Sequence, residues 1–325
     1  LLYTSEVKAS LRNKINFSDG TISLKKYDTL KDFSEFYPMI PYQLDLLQQV
    51  FTKIRENSSA GKHFASGERN LLGAVQYAAL EYAEKDLGIL IPFQTFYGHL
   101  DQGLDHSVRA TIIKAQSTPT LQSFDVDVLK VLYLIRYLKS VPSTVENITT
   151  LMLDELDADR LKLTKNITAA LDRLTKEYLV QRTGLEYLFL TNEEQDINRE
   201  INHMDIPTSK MQSYIGEMIY DTVLEMKKYK YVPFAEKKTV AYDFDCAKWI
   251  DESARGNATA EIGIHVVTPY SDDYRTREEL QQLSSRESRL VIALGDSGTF
   301  YDDTMMLLKI NEYLRSQSSK QNSGI

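Results

Sequence analysis

Two loops in this chain place carboxylates where chemistry can be done. Asp272 and Asp273 follow an apolar run over 261–268, and Gly295-Asp296-Ser297-Gly298-Thr299 follows a second run over 289–294. Carboxylates at strand ends suit a divalent cation or phosphoryl transfer, which would make Asp272, Asp273 and Asp296 a nuclease-like site. The same residue types are what any strand-to-helix loop needs for turning and capping, and this plainer reading is preferred. His63, His99, His106, His203 and His265 show neither H-x-x-x-H spacing nor a cysteine beside them, so no zinc motif forms. Cys246 is the single cysteine, which excludes an internal disulfide framework. No Gly-x-x-x-x-Gly-Lys-Ser/Thr string is present to cradle phosphates with backbone N–H groups. The expectation is a chain with no catalytic residues, no metal and no cofactor of its own.

Residues suited to phosphate recognition are better placed. Arg160, Lys162, Lys165, Asn166, Arg173 and Lys176 alternate at helical spacing with the apolar stripe Leu163, Ile167, Ala170, Leu171 and Leu174, so they are expected to face outward. Arg182 follows on the next segment. Over 158–182 there are six basic residues against three acidic ones, inside a chain of net charge −8. That overall acidity excludes a protein coating nucleic acid along its whole surface, so any contact is local. Lys and Arg there would hold the backbone of a duplex, and Asn166 could read a base edge.

The elements that position these residues read as three helices and a hairpin. The first helix spans 125–139 and is stopped by Pro142 and Ser143; a second runs over 145–156; a third begins after Asp157. A hairpin follows, with strands over 179–182 and 186–190 and a turn at Thr183 and Gly184, where glycine adopts the positive φ that a tight turn needs. This is the order of a winged helix-turn-helix. Two readings stay open: contact with duplex DNA, and docking against another domain or subunit. Asp154, Glu155 and Asp157, read as the end of the second helix, work against the first. A free-standing winged-helix DNA-binding regulator is the alternative function.

Upstream, 36–115 reads as helical, with one helix over 43–56 and another over 68–85 capped by Ser66. Arg69 then sits in a first helical turn, where the helix dipole disfavours a cation, and a facing phosphate would account for it. Downstream, Asn192 is expected to cap a further helix. Helical pattern continues to about residue 229, broken at Pro207, with Met211, Ile215, Met218, Ile219, Val223 and Met226 at core-filling spacing. Beyond that the period shortens, and strands over 261–268 and 289–294 alternate with helices over 276–284 and 301–314, the pattern of a small parallel α/β domain.

The strings Tyr37-Pro38-Met39-Ile40-Pro41-Tyr42-Gln43-Leu44, Ser66-Gly67-Glu68-Arg69, Glu146-Asn147-Ile148-Thr149-Thr150-Leu151-Met152, Ala158-Asp159-Arg160-Leu161 and Tyr187-Leu188-Phe189-Leu190-Thr191-Asn192-Glu193-Glu194, taken in order, resemble the large P-loop ATPase of the bacteriophage exclusion (BREX) systems, the BrxC/PglY family. The resemblance implies a DNA-associated AAA+ type ATPase that acts with a methyltransferase and other BREX subunits against phage. It implies ATP and Mg as cofactors of the full-length protein, with Arg69 as its nucleotide-sensing residue. Because the P-loop is missing and the chain opens at Leu1 without an initiator Met, these residues are expected to be a fragment downstream of the nucleotide-binding core.

The expected fold is therefore mixed and mainly α. A helical AAA+ lid-like domain would occupy 1–120, a winged helix-turn-helix 121–200, connecting helices 201–230 and a small α/β domain 231–325. The expected function is a non-catalytic regulatory and interaction fragment of a BREX phage-defence ATPase, not an enzyme by itself. Other BREX subunits and double-stranded DNA are the expected partners. No apolar run approaches the roughly 20 residues that span a bilayer, and no signal-peptide pattern opens the chain, so a cytoplasmic location is expected.

Overall fold

The computed structural model of the protein describes residues 4–18, 24–57, 67–101, 104–225, 228–231, 242–260, 262–272, 276–296 and 298–322. The chain divides into two compact units, Leu1–Arg199 and Glu200–Ile325. Helix predominates, with a curled five-stranded sheet in the second unit.

In the first unit the helices are α1 (Ser5–Lys14), α2 (Leu30–Phe36), α3 (Tyr42–Asn57) and α4 (Gly67–Glu81), then a 3-10 turn (Phe93–Thr95) leading into α5 (Phe96–Leu100) and α6 (His106–Ser117). They are followed by α7 (Ser123–Ile135), α8 (Val145–Leu151), α9 (Arg160–Lys176), the hairpin β1 (Val180–Thr183) and β2 (Glu186–Phe189), and α10 (Asn192–Asn202). Starts are set by side-chain caps: Thr29 and Asp32 form a reciprocal capping box on α2, and Thr144 and Asp159 accept from the first turns of α8 and α9. Buried side chains from Leu11 to Phe189 form one continuous cluster, so the helices before α7 share a core with the module that follows. α7 lies at its centre. Val126, Val128, Leu129, Val131, Leu132, Tyr133, Leu134 and Ile135 are all buried, which a helix tolerates only when neighbours cover it on every side.

Several boundaries differ from the periodic reading, each for a packing reason. α7 stops at Ile135 rather than 139 because the chain tightens there, Leu138 N donating to Ile135 O at 2.9 Å, and this turns Leu138 and Val141 into the core. α8 stops at Leu151, not 156. Beyond it the backbone pairs with an upstream segment, Leu90 N donating to Asp154 O at 2.6 Å and Leu156 N to Gly88 O at 2.8 Å. Asp154, Glu155 and Asp157 therefore lie in the connection to α9 and not on a helix. α4 ends at Glu81 rather than 85, and α10 includes Asn192, with Thr191 N donating to the Glu194 carboxylate at 2.8 Å.

The second unit opens with α11 (Thr208–Glu217), which runs into a π-helical segment (Met218–Val223). The expected helix over 209–228 is thus cut short, and the chain is already extended at β3 (Lys228–Tyr231). Then come β4 (Tyr242–Ile250), β5 (Ser253–Arg255), β6 (Ile262–Val267), α12 (Arg277–Glu287), β7 (Arg289–Ala293) and α13 (Gly298–Asn322). The sheet order is β3-β4-β6-β7, with β5 also on β4. β4, β6 and β7 are parallel, as the strand-helix-strand pattern requires for β6 and β7, while β3 and β5 add antiparallel edges to β4. One sheet face packs on helices through Ile206, Met211, Ile215, Tyr220, Ile250, Ile264, Val266, Tyr301 and Leu308. The π-helical turn has a local reason: it carries the Tyr220 hydroxyl to 2.6 Å from Trp249 O and 2.9 Å from Ile264 O, between neighbouring strands. Among the described residues no helix is long and apolar enough to cross a membrane.

Candidate nucleic-acid interface

α9 carries the residues that sequence spacing nominated, and the structure divides them in two. Ile167, Ala170, Leu171 and Leu174 are buried, and Lys162, Lys165, Asn166 and Lys176 are exposed. Among the described residues no ion pair engages the ammonium groups of Lys162, Lys165 or Lys176. Offsets of three and eleven residues put Lys165 and Lys176 on one strip, with Lys162 at its head, about 21 Å along the helix axis. Arg160 and Arg173, expected to face outward, instead fold back onto the protein. The Arg160 guanidinium donates to Lys14 O at 2.5 Å, Thr150 Oγ1 at 3.0 Å and Glu146 Oε2 at 2.7 Å. Arg173 donates through Nε and Nη2 to the two oxygens of Asp125, at 2.7 and 2.6 Å. The reason is reach: long side chains at the flanks of an amphipathic helix can turn to either side, and acceptors on α1, α8 and α7 hold these two inward. Donating to the Asp125 carboxylate holds the Arg173 guanidinium above its ordinary range.

The hairpin is fastened beside this helix. Residue pairs run from Val180 with Phe189 to Thr183 with Glu186, and Gly184 in the turn has φ +61°. Tyr187 N donates to Ser143 O at 3.0 Å, and Thr144 pairs with Glu186 in an isolated antiparallel bridge, so the α7–α8 connection lies against β2. Arg136 secures the other side. Its guanidinium donates to Phe189 O at 3.1 Å and Glu194 Oε1 at 2.6 Å, and lies over the Tyr137 and Phe189 rings. Arg182 is exposed near the tip, donating to Gly184 O at 3.1 Å and resting 5.9 Å from the Tyr187 ring centroid.

The other nominated residues lie apart from this surface. Arg69 falls in the first turn of α4, and its side chain, like Ser66, lies outside the described residues. Asp272 N donates to Glu252 Oε1 at 2.8 Å, Asp273 lies outside the described residues, and Asp296 is exposed after β7. Among the described residues no three His, Cys, Asp or Glu side chains converge as a metal site. His265 is buried against Asp251 O at 2.7 Å, and burial pushes the Cys246 thiol up.

Sequence reasoning passed over Asp251. It directly follows β4 with φ +48°, is buried, and accepts from Thr268 N at 2.6 Å and Thr268 Oγ1 at 2.8 Å, clamping the ends of β4 and β6 together. Burial raises its carboxyl above the ordinary 3.8, more than the Thr268 hydrogen bonds lower it. A polar residue directly after the apolar strand end Trp249-Ile250 was the available signal.

Residues 204–325 match the model of a protein family described as the BREX ATP-binding protein BrxC 4th domain with six-stranded beta sheet. The match falls within the second unit, where the described residues supply five strands. No solved structure matches the chain. Over residues 204–325 the chain is accordingly similar to the fourth domain of a BrxC-type protein of a BREX phage-defence system.

Proposed function

We propose that the chain is a non-catalytic regulatory and interaction part of a BREX AAA+ type ATPase, and that residues 123–189 are a winged helix-turn-helix through which it meets duplex DNA. The observation that carries this is the α9 strip. Lys162, Lys165 and Lys176 are exposed and without ion pairs among the described residues, beside Asn166 and the hairpin's Arg182. Arg160 and Arg173 serve the same surface differently, by fixing α9 against α8 and α7. Phosphate contacts by three lysines would position a duplex and make binding salt-dependent. Titrating the chain into labelled duplex at several salt concentrations tests this.

A second reading, docking against another BREX subunit, rests on a different observation: Leu161, Leu185 and Leu188 on the same module are 78%, 73% and 39% exposed. In that case Leu161→Ser with Leu185→Ser weakens capture of a BREX subunit while duplex affinity stays the same.

Arg69 we assign, in the full-length protein, to sensing bound nucleotide from the start of α4. Arg69→Ala there should lower ATP hydrolysis without moving the melting temperature; hydrolysis equal to wild type would make it an ordinary surface residue.

A further inference from the structure

β7 is an edge of the sheet, and its backbone says what can cover it. Among the described residues it pairs on one side only, with β6. Leu294 N donates to Val267 O at 2.9 Å across that seam. In a parallel strand the N–H and C=O of one residue turn to the same side and those of its neighbours to the other. Leu290 and Ile292 therefore also bond toward β6, while Arg289, Val291 and Ala293 turn their groups outward. Arg289 O accepts from Ser284 Oγ at 2.5 Å, and among the described residues Val291 and Ala293 have no outward partner.

Such a row of N–H and C=O groups is a template for another extended strand, and edges that stay in water are guarded by lysine, proline or a bulge. β7 reads Arg289-Leu290-Val291-Ile292-Ala293 and has none of these. Its one charge is turned along the sheet, Arg289 lying 4.0 Å over the Trp249 ring and 3.0 Å from the Glu287 carboxylate. β3, at the far edge, does carry lysines, Lys228 and Lys230, which disfavour β7 adding to β3 of another copy in an open chain.

β7 complements itself. Laid antiparallel on the β7 of a second copy about Val291, it sets Val291 opposite Val291, Arg289 opposite the small Ala293, and Leu290 opposite Ile292. The outward groups of the first two pairings then bond one another, and Leu290 with Ile292 becomes the closer, non-hydrogen-bonded pair. Leu290 and Ile292 share the face of Ile264 and Val266, which is the core face. Leu290 is 62% exposed at its margin, where Ile292 of the second copy would cover it. The family matched by residues 204–325 is described by a six-stranded sheet, and the described residues supply five strands. The longest stretch of 204–325 outside the described residues, 232–241, joins β3 to β4 at the far edge, so a further strand on β7 is drawn from elsewhere.

We infer that the chain pairs with a second copy of itself through antiparallel β7 strands, joining the two sheets and their core faces into one.

The test is sedimentation of the full chain over a range of concentrations, with amide hydrogen exchange on the same samples. Wild type should dimerise, and the Val291 and Ala293 amides should exchange more slowly as the dimer fills. Leu290→Lys with Ala293→Lys sets lysines against Ile292 and Arg289 of the second copy. It should raise the dimer dissociation constant by about tenfold or more, several cross-strand pairs being lost together. Leu290→Ile should keep the dimer. Circular dichroism and a thermal melt establish that the lysine variant is folded; if it is not, the concentration dependence of wild-type exchange decides alone. Three results overturn the inference: wild type monomeric at every concentration; dimers that a folded lysine variant leaves intact; or Val291 and Ala293 amides already protected in the monomer, which would put a strand of the same chain on β7.

Discussion

Arg173 on α9 grips the buried Asp125 of α7 with two hydrogen bonds of 2.7 and 2.6 Å, while Asp125 also accepts from Gln122 N at 2.9 Å. One carboxylate thus caps the central helix of the first unit and sets where the lysine-bearing helix lies across it.

Removing the cation alone leaves Asp125 buried without its counter-charge. Arg173→Met is expected to cost about 3 kcal/mol, the lower end for a broken buried pair. Adding Asp125→Asn should recover much of that loss. Urea unfolding of the single and double variants checks it; additive losses would mean that the two residues do not act as a pair.

Asp251 predicts a pH effect in the second unit. Its carboxyl is raised by burial above 3.8, so folding favours the protonated form. The stability it contributes is full below 3.8 and is lost as pH rises through the raised folded value. Asp251→Asn should remove that step. Urea midpoints followed by the fluorescence of Trp249, the single tryptophan, should fall across this window in wild type and stay flat in the variant. Parallel curves would rule it out.

The chain is expected to hydrolyse no ATP above a buffer control, since it contains no string able to cradle the phosphates. Turnover that a substitution within these residues abolishes would refute this.

Local patterns were legible, and distant partners were not. The hairpin could be placed because Thr183-Gly184 punctuates two alternating runs, and α9 because its apolar stripe is unbroken. β6, α12, β7 and α13 declared themselves through a change of period. β4 did not, although Tyr242-Asp243-Phe244-Asp245 alternates, because half of it is exposed ribbon and Lys248 interrupts its apolar end. Helical spacing sets the angle at which Arg160 and Arg173 leave α9 but not their partners, which lie up to 146 residues away in sequence. The Asp251 clamp is hidden for a related reason: it exists only once β4 and β6 are side by side, with Thr268 seventeen residues on.

The claim that α9 meets a phosphate backbone is tested most directly by the salt dependence of duplex binding. Lys162→Glu, Lys165→Glu and Lys176→Glu together should weaken binding and shallow the log–log slope by about 0.9 for each phosphate that is no longer neutralised, while leaving the melting temperature near that of wild type. Identical slopes for the two proteins, or no duplex binding by wild type at low salt, would contradict the account.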